Sequence, residues 1–360
     1  MPRNPKTPKT NLTRICAVSR DVVYVAAAPS ANSPTAKFGL VTQLYDGEWT
    51  MRDFDLAIQA MTLFRDPATG LRMMWFVSQH GDVVDFNAPD MRRNILEEPA
   101  VRALEKNYYS RRLAGLRAVG DRLYACGEKG QNFLRDADGS WRPLDAGVFD
   151  ETQPISPTWP YELLPPGRPI GFDKEAYIAE HLEIRDEYER RKRIVFGNTL
   201  LWNLSGLSED TLYICGNGGV ILHGVDGGLA RVASPVDEPL TDVRVEAPDK
   251  VWICSREGSL LYGDARGGFR RVAQGGGAFN SLALFGGKVW LGGVSGPRGL
   301  FVYDGSSLRR VEPPGLTPGI DDVTQIDDCD DALWVLGTKD LLRFDGARWE
   351  RIAHPLIPSR

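Results

Sequence analysis

The residues of this 360-residue chain that could do chemistry are few and scattered. Metal chemistry needs His, Cys or carboxylate ligands a few ångströms apart, and motifs achieve that by spacing them one helical turn or one tight loop apart. The four histidines (His80, His181, His223 and His354) are far apart, with no H-E-x-x-H and no close pair. Cys126, Cys215 and Cys254 each follow a strand aromatic by two residues, a position that reads as a small core side chain. Asp321, Asp322, Asp327, Asp328, Asp330 and Asp331 offer oxygen ligands but lack the D-x-D-x-D-G spacing of a calcium loop, and Asp330-Asp331 reads as a turn. G-x-S-x-G, a P-loop and a dinucleotide fingerprint are all missing. No residue is therefore assigned a catalytic or metal-binding role, and no cofactor is expected.

Two polar sets remain as binding candidates. Gln79, His80, Glu128, Lys129, Arg256 and Glu257 immediately precede turn glycines, where they would share one rim. A carboxylate beside a His there could do acid–base work, which supports the alternative of an enzyme or small-molecule binder. The second set is Tyr177, His181, Tyr188, Arg190, Arg191 and Arg193. These lie on a helix expected from Asp173, a capping residue, to about Arg193, with Ile178, Leu182 and Ile184 completing the apolar spacing. Arginines in the last turn complement the helix dipole and could meet an acidic partner.

Such residues need a scaffold, and the chain advertises one by repetition. An aliphatic–aromatic pair recurs seven times, at Val23-Tyr24, Met74-Trp75, Leu123-Tyr124, Leu212-Tyr213, Val251-Trp252, Val289-Trp290 and Leu333-Trp334. Three residues after each aromatic stands a small residue, and six after it five copies carry Gly81, Gly130, Gly219, Gly258 or Gly296, as a tight turn with positive φ requires. Asp-Gly turns follow at Asp46-Gly47, Asp138-Gly139, Asp226-Gly227, Asp304-Gly305 and Asp345-Gly346. With the apolar strand before each aromatic, every unit has four strands and about 40 residues once two insertions, near 97–112 and 148–198, are set aside. The second insertion opens with Pro154, Pro157, Pro160, Pro165, Pro166 and Pro169, which exclude helix there.

The blade turns Tyr45-Asp46-Gly47-Glu48-Trp49 and Phe344-Asp345-Gly346-Ala347-Arg348-Trp349 resemble the bacterial seven-bladed β-propeller superfamily with WD40- or YCF48-like repeats. The expected fold is all-β: a seven-bladed propeller of four-stranded antiparallel blades with a helical, proline-rich insertion after blade three. Residues 1–10 would be a flexible tail and 11–360 one domain, its ring closed without a shared strand and by packing alone. Both insertions would neighbour each other on one face. Such repeats resemble those of sensor, assembly-factor and toxin-immunity propellers, and the resemblance transfers no active site.

Composition narrows the partners. A net charge of −5 gives no global basic field for nucleic acid. The apolar run Val22 to Ala28 is too short to span a bilayer, and the first fourteen residues lack an apolar signal core. Five cysteines fit a reducing cytoplasm. The expectation is a cytoplasmic, non-catalytic protein-interaction module, monomeric alone, with a toxin-neutralising immunity protein as one concrete form; nucleic acid and membrane are not expected partners.

Overall fold

Each anchor aromatic lies in the second strand of a four-stranded antiparallel sheet, and there are seven such sheets. The computed structural model describes residues 10–29, 39–54, 56–67, 69–78, 81–87, 90–95, 113–144, 173, 176–177, 180–181, 183–185 and 200–357. Blade one pairs Thr10–Ser19, Val22–Pro29, Gly39–Tyr45 and Glu48–Phe54 in chain order. The first strands of the later blades are Ile58–Arg65, Leu113–Val119, Leu201–Ser205, Leu240–Ala247, Ala278–Phe285 and Gln325–Cys329. Each first strand packs against the first strands of both neighbouring blades, and the last meets the first, so the seven form a ring around a channel. The architecture is the seven-bladed β-propeller that the repeat predicts.

The Asp-Gly turns divide into two designs. Asp46 and Gly47 (φ 49° and 81°), like Asp226 and Gly227 (49° and 75°), take the two left-handed residues of a tight hairpin. At Asp304 and Asp345 only the glycine has positive φ, and the carboxylate folds back instead. Asp304 Oδ1 accepts the N–H groups of Ser306 (3.0 Å) and Ser307 (2.9 Å), and these bonds, that of Ser307 foremost, hold its pKa well below the usual carboxylate range.

Between the blades lie seven buried apolar clusters, one for each neighbouring pair. Trp75, Tyr124, Tyr213, Trp290 and Trp334 are buried within them, as expected of large anchors on a pleated surface covered on both sides. Tyr24 and Trp252 are only half-buried. The glycine rule also has one exception. Gly81, Gly130, Gly219 and Gly258 have positive φ, but in blade six pairing stops at Gly293↔Gly299, and the positive φ falls on Gly299 rather than Gly296. At Gly219 an added Cβ would stand 2.0 Å from Val236 O, so close approach alone requires glycine there.

The ring closes with no shared strand, as expected, but not by packing alone. Leu12 N donates to Thr338 O (3.0 Å), Trp334 Nε1 to Ser19 O (3.1 Å), and Arg343 pairs with Asp21 (2.9 Å). The segment after the last strand crosses onto blade one, where Ile352, Leu356 and Ile357 join the cluster of Leu12, Ile15 and Trp334. Trp49 Nε1 donates to Ala353 O (2.8 Å), and His354 is buried against Thr42 (2.9 Å).

Candidate binding site at the channel mouth

Every innermost strand is a sheet edge, and an edge leaves N–H groups unpaired. Here several are satisfied by polar side chains reaching across from a neighbouring innermost strand. Asp242 Oδ2 accepts Leu282 N (2.8 Å), Gln325 Oε1 accepts Ile15 N (2.9 Å), and Asp327 Oδ2 accepts Ala17 N (2.9 Å). Ser281 Oγ accepts Ile326 N (3.1 Å), Asp328 Oδ1 accepts Leu284 N (3.2 Å), and Ser205 Oγ accepts Val245 N (3.2 Å). Two more aspartates of the acidic run bind N–H groups of turns: Asp331 Oδ1 accepts Arg20 N (2.9 Å), and Asp322 Oδ2 accepts Thr338 N (3.1 Å). No group of three or more potential metal-binding side chains occurs among the described residues.

Lower in the channel, buried Arg244 bridges Asp242 (3.1 Å) and Asp327 (3.3 Å), with Arg117 3.7 Å from Asp327. Burial opposes the charge of Arg244, but Asp242 and Asp327 hold it protonated. Burial pushes the Asp328 carboxyl up to about 6, against the lowering influence of Arg244. Burial also pushes the thiols of Cys16 and Cys126 up to about 12, so they sit as neutral core groups.

Arg117 and Asp242 of this network also line a cavity of about 280 Å³ to which all seven blades contribute. Its wall includes Arg14, Gln59, Arg117, Trp202, Asn280 and Gln325, with Arg256 reaching in from the turn between the second and third strands of blade five. That turn is tied to the start of its own innermost strand by Arg256 N donating to Pro239 O (2.8 Å). The Arg256 guanidinium lies 4.8 Å over the ring of Trp202, whose Nε1 donates to Asn217 Oδ1 (2.6 Å). The indole is thus held as a fixed floor under a cation.

Of the six rim candidates, Arg256 lines this cavity. Glu257 is exposed beside it, outside the lining, with its carbonyl accepting Gln274 Nε2 (2.7 Å). Glu128 opens a single 3-10 turn, Glu128–Gly130, that carries Lys129 in its backbone. Gln79 and His80 lie outside the described residues, as does the Lys129 side chain. In the insertion, Asp173 Oδ1 accepts Ala176 N (3.0 Å), and Tyr177 stacks on His181 at 4.0 Å. Residues 176–177 and 183–185 are helical, whereas Tyr188, Arg190, Arg191 and Arg193 lie outside the described residues.

Sequence reasoning did not single out Trp202, Asn203, Asp242, Asn280 or Gln325. A signal for them existed: polar pairs open several innermost strands, at Trp202-Asn203, Thr241-Asp242, Asn280-Ser281 and Thr324-Gln325.

No protein-family model matches the chain, and no curated protein matches it in sequence. Among solved structures it is similar to YCF48 from Cyanidioschyzon merolae, with a TM-score of 0.59 at 14% identity, covering 94% of this chain and 96% of that one. The WD40 β-propeller domain of Doa1 gives a TM-score of 0.59 at 12% identity, covering 94% and 93%. A structure of YCF48 bound to D1 peptide gives 0.57 at 12% identity, covering 94% and 95%. At such identities these likenesses establish the propeller fold. No helix among the described residues is long and apolar enough to cross a membrane.

Proposed function

We propose that this chain is a non-catalytic protein-interaction module that grips a partner protein on the face where the channel cavity opens. The observation that carries this reading is one of topology. The long connections 96–112 and 145–199 each join the end of an outermost strand to the start of the next innermost strand, and in antiparallel four-stranded blades both points lie on the cavity's face. Long connections on a rigid scaffold are where binding residues concentrate. A similar propeller, YCF48, has been solved bound to a peptide, which supports a protein-binding use. The proposed contacts in the insertion are Tyr177, His181, Tyr188, Arg190, Arg191 and Arg193.

In this reading the protein works as a monomer in the cytoplasm, which suits its five free cysteines. Neutralisation of a toxin is a specific form of the reading, supported by the blade-motif resemblance alone.

The test replaces Asp150 to Val195 with a short Gly-Ser linker. The propeller is expected to keep its circular dichroism and melting temperature, because the blades on either side own all four of their strands. The partner recovered with the parent from its source cell, measured by native mass spectrometry, is expected to be lost. Undiminished recovery with the shortened chain would show that the insertion does not grip it.

A further inference from the structure

The channel wall is polar, but most of its polarity is already committed. Asp242 accepts five hydrogen bonds: from Asn203 Nδ2 (2.7 Å), Val243 N (2.9 Å) and Arg244 Nη1 (3.1 Å) on one oxygen, and from Leu282 N (2.8 Å) and Ser281 Oγ (3.2 Å) on the other. Thr324 Oγ1 donates to Leu336 O (3.0 Å), and Gln325 holds the edge of blade one. Two groups that line the cavity remain uncommitted. Among the described residues no carboxylate or carbonyl pairs with the guanidinium of Arg256, which keeps its donor fork open while its face rests on Trp202. The amide oxygen of Asn280 is buried with no hydrogen-bond partner.

A buried amide oxygen without a donor is costly, and an Arg fork held on an aromatic floor suits a planar, singly charged anion. An anion also fits the charge of the lining, where Arg14, Arg117 and Arg256 stand with one carboxylate, Asp242, that Arg244 already matches.

We propose that the channel mouth binds a carboxylate-bearing peptide segment, the carboxylate on Arg256 and a backbone N–H of the segment on the Asn280 amide, whose buried oxygen turns toward the cavity to meet it. The carboxylate can be a chain terminus or an acidic side chain, which are the same chemistry to a guanidinium. The assignment rests on the partner-binding reading for its source, a protein, and it adds a point of engagement separate from the insertion.

Three tripeptide probes distinguish the sources: N-acetyl-Ala-Ala-Ala as the free acid, N-acetyl-Ala-Glu-Ala-amide, and N-acetyl-Ala-Gln-Ala-amide as the uncharged control. The readout is the fluorine resonance of Trp202 in protein labelled with 5-fluorotryptophan, picked out from the nine tryptophans by its loss in Trp202→Phe. At least one carboxylate peptide is expected to shift this resonance saturably while the control does not, and whichever acts identifies terminus or side chain. Arg256→Gln is expected to weaken binding about tenfold or more, as for a lost charge-assisted bond. Arg256 is exposed, so that variant should melt with the parent. Asn280→Ala should weaken peptides while leaving acetate, tested alone, unchanged.

Equal response to all three probes, no response to any, or full affinity in Arg256→Gln would overturn the assignment. Acetate binding as tightly as the peptides would overturn the peptide half of it. If the probes fail while the Asp150–Val195 replacement still abolishes partner recovery, this inference falls and the partner reading stands. If the probes bind and no partner is ever recovered, the reverse holds.

Discussion

At His354 a single side chain reports on closure of the ring. Leu356 N donates to its Nδ1 (3.2 Å), so the proton is on Nε2, which donates to Thr42 Oγ1 (2.9 Å), and that hydroxyl donates in turn to Val25 O (3.1 Å). Burial lowers the imidazole pKa from 6.5 to about 4. Because the folded value is depressed, the unfolded chain takes up a proton that the folded one refuses once the pH falls below about 6.5. Stability present above that pH is therefore lost as the pH falls toward 4, by about 3 kcal/mol in all. Asp328, its pKa raised, works in the opposite sense over an overlapping window, so the comparison has to be differential. Urea midpoints at pH 7, 6 and 5 should fall more steeply for the parent than for His354→Gln; parallel slopes would remove His354 from the account. None of this could be read from the sequence, since the partner of His354 lies 312 residues away and nothing near either residue points to the other.

Blades, by contrast, were legible because their determinants are local. An aromatic in the second strand, a small residue three positions on and a glycine at the turn are fixed by one sheet's own geometry, so they recur. What departs from the pattern does so for non-local reasons: Gly296 gives way to Gly299 where the turn lengthens, and the polar openings of the innermost strands answer to the neighbouring blade's edge. Burial also varies where the repeat is constant, and this can be measured. Trp334 is fully buried between blades seven and one, and Trp334→Ala is expected to cost about 3–5 kcal/mol. Trp252 is half-buried, with Nε1 on Glu246 Oε2 (3.0 Å), so Trp252→Ala should cost clearly less in the same chemical denaturation experiment. Equal costs would mean that the two blades do not differ in packing as described.

Over the whole molecule, six of the seven blade interfaces are spanned by a connection from one blade's last strand to the next blade's first, and the seam between blades seven and one has only the tail after the last strand. Residues 352–357 act there as a strap, laying Ile352, Leu356 and Ile357 onto the cluster around Leu12. Ending the chain after Arg351 should uncover Trp49 and leave Thr42 without its imidazole partner. A fall in melting temperature of several degrees is expected from the lost apolar burial, with strand content by circular dichroism retained. A truncated chain that melts with the parent would show the strap to be dispensable.

That seam also decides how the ring would yield to force. A ring closed by a shared strand, pulled by its two ends, must shear a whole row of backbone hydrogen bonds at once. Here the same pull meets apolar side chains and separate polar links such as Arg343 to Asp21 and Trp334 to Ser19, which can break in succession. The first event under tension would be the opening of the circle into an arc, every blade still whole, with the two halves of the cavity wall drawn apart before any strand is lost.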